Sequence, residues 1–196
     1  VKVRFENFTM SDTMPEEFPV PSKKLVDEFG QWMGKEWPGK IHSREELKEK
    51  YQALEGKAEY PFPEWNVWGG DKTRKLKEGT GFFSTCKTPD GRWHLTDPEG
   101  CDYFSLGPCG TRAGEWGRID SFENCCEWLP EEDAQYAEFF EEGSRRRTAY
   151  MPVDHYRMAN FSGMNLKKIY GDDWKEKWEE ISCHILMNNG INSQGN

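Results

Sequence analysis

The chain has 196 residues and a formal charge of −9, with 26 Lys+Arg against 35 Asp+Glu. At roughly 100–200 residues per domain, this length allows one domain or a little more. The acidic balance argues against a nucleic-acid partner, whose binding rests on Lys and Arg neutralising phosphates. Mean hydropathy is low, −0.94, yet 9 Trp, 7 Tyr and 12 Phe supply large apolar side chains that disordered chains lack, so a packed core is expected. No run approaches the roughly 20 apolar residues of a membrane span, and Val1-Lys2-Val3-Arg4 lacks the apolar core of a signal peptide.

Residues 1–10 alternate, with Val1, Val3 and Phe5 on one side and Lys2, Arg4 and Glu6 on the other, the pattern of a half-buried strand. Ser11 to Ser22 carries Pro15, Pro19 and Pro21 and reads as an extended linker. Ser43-Arg44-Glu45-Glu46 is a capping box, and Leu47, Tyr51 and Leu54 follow at helical spacing with Gly56 as a terminator. A helix over 44–55 is expected. Three strands follow at 81–87, 92–96 and 101–106, separated by Pro89-Asp90-Gly91 and Asp97-Pro98-Glu99-Gly100. In each turn proline pre-sets φ and glycine takes the positive φ at the end, which makes a β-meander.

Further on, Tyr136, Phe139 and Phe140 give 131–142 a narrow apolar side, read as a short helix, and 143–163 reads as loop. The basic cluster Arg145-Arg146-Arg147 in it is a solvated charge run. Trp174, Trp178, Ile181 and Ile185 then recur with helical period, ended by Asn189-Gly190, so a second helix is expected over 172–189. Residues 190–195 are strand-like. Strand 102–107, helix 172–189 and strand 190–195 make a βαβ unit whose strands should lie parallel. Two parallel strands with one helix leave sheet surface uncovered. The six cysteines form no Cys-x-x-Cys pair and read as reduced and mostly packed.

Several of these pieces together resemble a known family. Val26-Asp27-Glu28-Phe29-Gly30-Gln31, Trp37-Pro38-Gly39-Lys40 and the Ser43 capping box lead into Gly79-Thr80-Gly81-Phe82-Phe83. Asp90-Gly91-Arg92-Trp93-His94-Leu95-Thr96-Asp97-Pro98-Glu99-Gly100, Tyr103-Phe104-Ser105-Leu106-Gly107 and Asn189-Gly190-Ile191-Asn192-Ser193-Gln194-Gly195-Asn196 follow. This succession is similar to the agarase-type glycoside hydrolases, in particular glycoside hydrolase family fifty. The resemblance implies an α/β fold: the first part of a (β/α)8 TIM barrel, with about two barrel strands, preceded by the β-meander and by the last strand of a β-sandwich module. A barrel takes roughly 250 residues, so it is incomplete in this chain. The implied division is 1–22 as terminal strand and linker, 23–79 as connecting region, and 80–196 as meander and first barrel portion.

The same resemblance implies an O-glycosyl hydrolase acting on a β-linked galactan-type polysaccharide, outside the cytoplasm or in the periplasm, with the remaining part of the enzyme as partner. Self-association is left open. The two carboxylates that glycosidases need are implied to lie beyond Asn196, so no catalytic residue is assigned. Asn192 and Asn196 stand at the C-terminal end of the second implied barrel strand, where barrel active sites are built. Their amides donate and accept, as sugar hydroxyls require, but can equally cap a strand end. Ser105, Gly107, Gln31 and the loop residues Trp116 and His155 are further candidates for substrate contact, each also readable as structural. Trp93, Trp174 and Trp178 are read as core, and His94 and His184 as hydrogen-bonded structural groups. No phosphate loop, Gly-x-Gly-x-x-Gly, nucleophile elbow or metal-ligand spacing occurs, so neither cofactor nor metal is expected.

Overall fold

A computed structural model describes residues 10, 23–114, 116–120, 122–144 and 155–195. The strand and linker expected over 1–22, the Arg145-Arg146-Arg147 cluster and Asn196 lie outside them, Met10 excepted.

Among the described residues, three α-helices and seven strands form in chain order: α1 (Arg44–Gln52), β1 (Asp71–Lys75), β2 (Ser84–Lys87), β3 (Trp93–Thr96), β4 (Cys101–Tyr103), β5 (Gly117–Arg118), β6 (Phe140–Ser144), β7 (His155–Ala159), α2 (Phe161–Tyr170) and α3 (Trp174–Asn188). The architecture is mixed α/β, and both sheets are antiparallel: β1-β4-β3-β2 and β5-β7-β6.

Helix α1 starts where its cap dictates. The Ser43 hydroxyl accepts the Glu46 N–H at 3.1 Å, while the Glu46 carboxylate reaches past the expected Ser43 amide to accept the His42 N–H at 2.7 Å. The helix stops at Gln52 with Ala53 as cap, three residues short of the expected end. Gly56 sits instead against the His184 ring, where an added Cβ would lie 2.5 Å from Nε2.

The meander forms with the expected turns, and β1 adds a fourth strand that its polar sequence, Asp71-Lys72-Thr73-Arg74-Lys75, did not announce. Register sorts the side chains onto two faces. Ser84, Thr96 and Asp102 align on one, with Cys86 beside His94; Thr85, Leu95 and Tyr103 align on the other, with Lys87 beside Trp93. The polar face is the enclosed one: Thr96 is fully buried and shares a 3.0 Å hydrogen bond with Ser84. His94 meets Asp102 at 3.0 Å, and Arg74 pairs with the same carboxylate at 2.8 Å. The other face is open at its Lys87 end, with Trp93 69 % exposed, and closed at Tyr103, which is buried. This corrects the reading of Trp93 as core: its position inside a strand places it at the open end of that face, away from Tyr103.

Two further expectations fail between 131 and 170. Residues 131–142 do not form an α-helix; one 3-10 turn at Ala137–Phe139 leads directly into β6. Nor are residues 155–163 loop, because β7 pairs with β6 from Phe140↔Ala159 to Ser144↔His155. Helical spacing of Tyr136, Phe139 and Phe140 loses here to strand pairing distant in sequence. Asn160 then caps α2, its side chain accepting the Gly163 N–H at 2.8 Å.

The main core gathers Ile119, Tyr136, Phe139, Ala159, Met164, Leu166 and Trp174, with Trp178 packed against it. Fully burying each large apolar side chain contributes about 1.5–3 kcal/mol, so α2, α3 and the β5-β7-β6 sheet are held mainly by this cluster. Phe29, Ile41 and Leu47 form a second cluster under α1. All six cysteines are free: Cys101, Cys125 and Cys126 are buried, Cys86 is half-buried, and Cys109 and Cys183 are exposed.

Candidate functional site

Residues 190–195, expected as a strand, have no regular strand structure. They nevertheless run alongside 106–108 in the same direction. The N–H groups of Asn192 and Ser193 donate to the Leu106 carbonyl at 3.1 and 3.2 Å, and Gly195 donates to Pro108 at 2.9 Å. What displaces the regular ladder is a side chain: the Asn192 Oδ1 accepts the Leu106 N–H at 2.9 Å, where a strand would offer a backbone carbonyl. Asn192 Nδ2 donates to the Phe104 carbonyl at 2.9 Å and to Gly69 at 3.3 Å. Tyr103 closes the seam from below, its hydroxyl donating to the Asn192 carbonyl at 3.0 Å. Burial raises the Tyr103 pKa, opposed by hydrogen bonds with Ser193 and Ser105.

Ser105 and Ser193 face each other across the seam, Oγ to Oγ at 2.8 Å. Gly107 permits the approach, because a Cβ there would lie 1.7 Å from the Ser193 carbonyl oxygen. Two of the candidates, Asn192 and Ser105, are therefore brought together, with Gly107 between them.

The other candidates stand apart. Gln31 is turned into the turn that it closes: Nε2 donates to Asp27 Oδ2 at 3.0 Å and to the Ile41 carbonyl at 2.7 Å, while Oε1 accepts the Ile41 N–H at 2.8 Å. Trp116, 36 % exposed, leads into β5. His155 is exposed at the start of β7.

Beside the seam lies a cleft of about 740 Å³, walled by Trp174, Trp178, Leu186 and Ile191 and closed by Thr111 and Gln194. Thr111 and Gln194 are hydrogen-bonded side chain to side chain, and the Trp178 indole donates to the Thr111 carbonyl at 2.6 Å. Ser182 is buried in the same wall with an unpaired hydroxyl. Thr111 and Ser182 carry no sequence signal; only the packing of α3 against the loop after 108 makes them neighbours. Glu179 is the one carboxylate among the described residues lining the cleft. A glycosidase needs two flanking the scissile bond, so the described lining of this cleft supplies no acid/base pair.

No protein-family model matches the chain. Among curated proteins it is 26 % identical over 231 residues to Beta-agarase B of Vibrio sp. (strain JT0107), a match covering 99 % of this chain and 24 % of that protein. The chain thus spans about a quarter of the curated relative's length. Among solved structures, PfGH50B superposes with a TM-score of 0.70 at 30 % identity, over 88 % of this chain and 27 % of that one. The chain resembles part of the agarase-type glycoside hydrolases. An agarase, AgWH50C, matches with a TM-score of 0.68 at 26 % identity over the same 88 % of this chain and 27 % of its own. An exo-beta-agarase matches at 0.70 and 26 % identity, with 29 % of its length covered. The agarase-type resemblance therefore embraces the mixed α/β architecture with its antiparallel sheets. Among the described residues no helix is long and apolar enough to cross a membrane.

Proposed function

We propose that this chain is an N-terminal or interior portion of a glycoside hydrolase that cleaves a β-linked galactan-type polysaccharide, with its catalytic carboxylates in polypeptide beyond these residues. The observation that carries the reading is the coincidence of two things. The chain aligns along nearly its whole length with a quarter of a β-agarase, and residues 104–108 and 191–195 run side by side in the same direction with α3 between them in sequence.

In this reading the seam is the junction of the first two staves of a (β/α)8 barrel, and α3 is the right-handed crossover between them. The division into 1–22, 23–79 and 80–196 follows from it, with the barrel starting after the meander. The cleft beside α3 is where further barrel units would pack. Asn192 and Ser105 then stand at the end of the barrel where substrate binds; Asn196, proposed for the same role, lies outside the described residues. Asn192 acts chiefly by fixing the seam, since both ends of its amide are engaged with backbone. Gln31 likewise sets the shape of the Asp27–Gln31 turn; Trp116, just before β5, and His155, which begins β7 rather than lying in a loop, are proposed as contacts for sugar.

The test is digestion of agarose by a polypeptide of the relatives' length that contains this chain, read as oligosaccharide products. Products of defined size are expected. Binding of agarose without any products would instead favour a non-catalytic carbohydrate-binding protein of the same architecture.

A further inference from the structure

Loop 66–70, just ahead of β1, is closed on itself and tied to the meander. The Asn66 N–H donates to the Gly70 carbonyl at 2.9 Å, and the Gly69 N–H donates to the Asn66 carbonyl at 3.0 Å. The Asn66 side chain, 8 % exposed, fixes the interior of the loop: Oδ1 accepts the N–H groups of Trp68 and Gly70, both at 3.0 Å. Its Nδ2 donates to the buried Asp97 carboxylate at 2.5 Å and to Glu99 at 3.2 Å. The turn between β3 and β4 therefore sets the shape of the loop.

The same loop reaches the seam. Asn192 Nδ2 donates to two carbonyls, Phe104 at 2.9 Å and Gly69 at 3.3 Å. Of these acceptors, Gly69 is the one that neither seam segment supplies. Two carbonyls decide which end of the amide must face them, and they leave Oδ1 for the Leu106 N–H. Residue 69 has two reasons to be glycine. Its φ is +81°, where a side chain is strained, and a Cβ there would lie 2.5 Å from the Asn192 Cβ. A second route ends on the same residue. Trp68 meets Phe83 at 6.1 Å, Phe83 meets Tyr103 at 4.9 Å, and the Tyr103 hydroxyl donates to the Asn192 carbonyl.

We propose that Asn66 and Gly69 are positioning residues for the seam. Asn66 shapes loop 66–70, and the loop, through the Gly69 carbonyl, sets the Asn192 amide and with it the register of 104–108 against 191–195. The sheet ahead of the seam thereby governs the Ser105–Ser193 pair, 2.8 Å apart, without lying in the seam itself. That the seam meets substrate rests on the function proposed above; the relay from Asp97 to Leu106 does not.

Two measurements test this, one in each form of the protein. In the 196-residue chain, hydrogen exchange at the Leu106 amide should accelerate about tenfold in Asn66→Ala and in Gly69→Ala. The Ile119 amide, bonded to the Arg157 carbonyl in the other sheet, should exchange as in the parent. Leu106 exchange that is unchanged, or that rises only in step with Ile119, would overturn the relay. In a polypeptide of the relatives' length, kcat and KM on agarose oligosaccharides are compared for Asn66→Ala, Asn192→Ala and the double variant. The seam supplies contacts and no acid/base pair, so Asn66→Ala should raise KM about tenfold with kcat within about twofold. In the Asn192→Ala background it should add less than about twofold, because both act through one amide. Leu47→Ala, in the separate cluster under α1, destabilises the fold and should leave KM unchanged. Additive losses, or an equal KM rise in Leu47→Ala, would reduce Asn66 to a merely structural role and overturn the proposal. Absence of cleavage by the longer parent would overturn the hydrolase reading instead, and the exchange result would then decide the relay alone.

Discussion

The ammonium of Lys168 lies 4.1 Å from the centroid of the Trp128 ring, with no side-chain surface exposed to solvent. Phe29 covers it from another side at 4.8 Å, and Glu28 accepts from it through its carbonyl at 2.6 Å and its carboxylate at 3.1 Å. One side chain of α2 thereby fastens both the 27–31 turn and the loop that carries Trp128. Lys168→Ala should destabilise the fold by about 2–4 kcal/mol, through lost packing and an orphaned carbonyl; Lys168→Met, which keeps the stem, should lose less. Denaturant unfolding of the two variants measures the difference.

Burial lowers the Lys168 pKa below the ordinary lysine value, against the opposing pull of Glu28. A lysine whose folded pKa is depressed binds fewer protons folded than unfolded between the two values, so stability rises with pH across that window. In Lys168→Met this contribution should vanish. Unfolding midpoints measured at rising alkaline pH should therefore climb in the parent relative to the variant, so that the two diverge.

Asp97 is completely buried in the turn between β3 and β4. Its Oδ1 accepts the N–H groups of Glu99 and Cys101, both at 2.9 Å, and Oδ2 accepts the Asn66 amide at 2.5 Å. Asp97→Ala removes the acceptor of the buried Cys101 N–H and of the part-buried Glu99 N–H, and leaves the Asn66 amide only its 3.2 Å bond to the Glu99 carboxylate; about 3 kcal/mol of destabilisation is expected. Hydrogen exchange should accelerate at the Glu99 and Cys101 amides first.

At the seam, Asn192→Ala removes the acceptor for the Leu106 N–H and the donor to Phe104. A cost of about 2 kcal/mol is expected. Asn192→Asp restores only the acceptor and places a carboxylate against two carbonyl oxygens, so it should be no better than alanine. In a longer, active form, both changes should reduce kcat/KM on agarose, whereas Gln31→Ala, far from the seam in its contacts, should act mainly on stability.

Asp120 shows the acid side. Its burial would raise the pKa, but the Arg157 N–H at 2.8 Å and the Arg118 guanidinium at 2.9 Å outweigh that and lower it. A carboxylate with a depressed folded pKa stabilises above the ordinary aspartate value of 3.8 and loses that contribution as pH falls through the folded one. Asp120→Asn should therefore lower stability at neutral pH and flatten its fall in acid, as read from melting temperatures between neutral and strongly acidic buffers.

Local chemistry was legible in the sequence where it acts within a few residues. The Ser43 cap, the two Pro-Gly turns of the meander and the apolar stripe of α3 depend on neighbours in the chain, and each forms. Elements set by distant partners were not legible. β1 is a polar pentapeptide that becomes a strand because β4 offers it an edge. β6 takes a helix-like spacing into a sheet because β7 pairs with it. α2 was hidden by Asn160-Phe161-Ser162-Gly163, which looks like loop; Gly163 is needed there because a Cβ would lie 2.6 Å from the Phe139 ring. Of the candidate site, Asn192 and Ser105 come together as the motif order suggested. The partners that give the seam and cleft their shape, Thr111, Ser182 and Tyr103, are assembled only by folding.

The function proposed above puts the acid/base pair of a glycan-cleaving enzyme in polypeptide beyond these residues. Reducing ends released from soluble agarose oligosaccharides measure it most directly, with the 196-residue chain and a polypeptide of the relatives' length assayed side by side. The account predicts release by the longer polypeptide and none above buffer by the chain alone. Sustained turnover by the 196-residue chain, or none by the longer form under the same conditions, would contradict it.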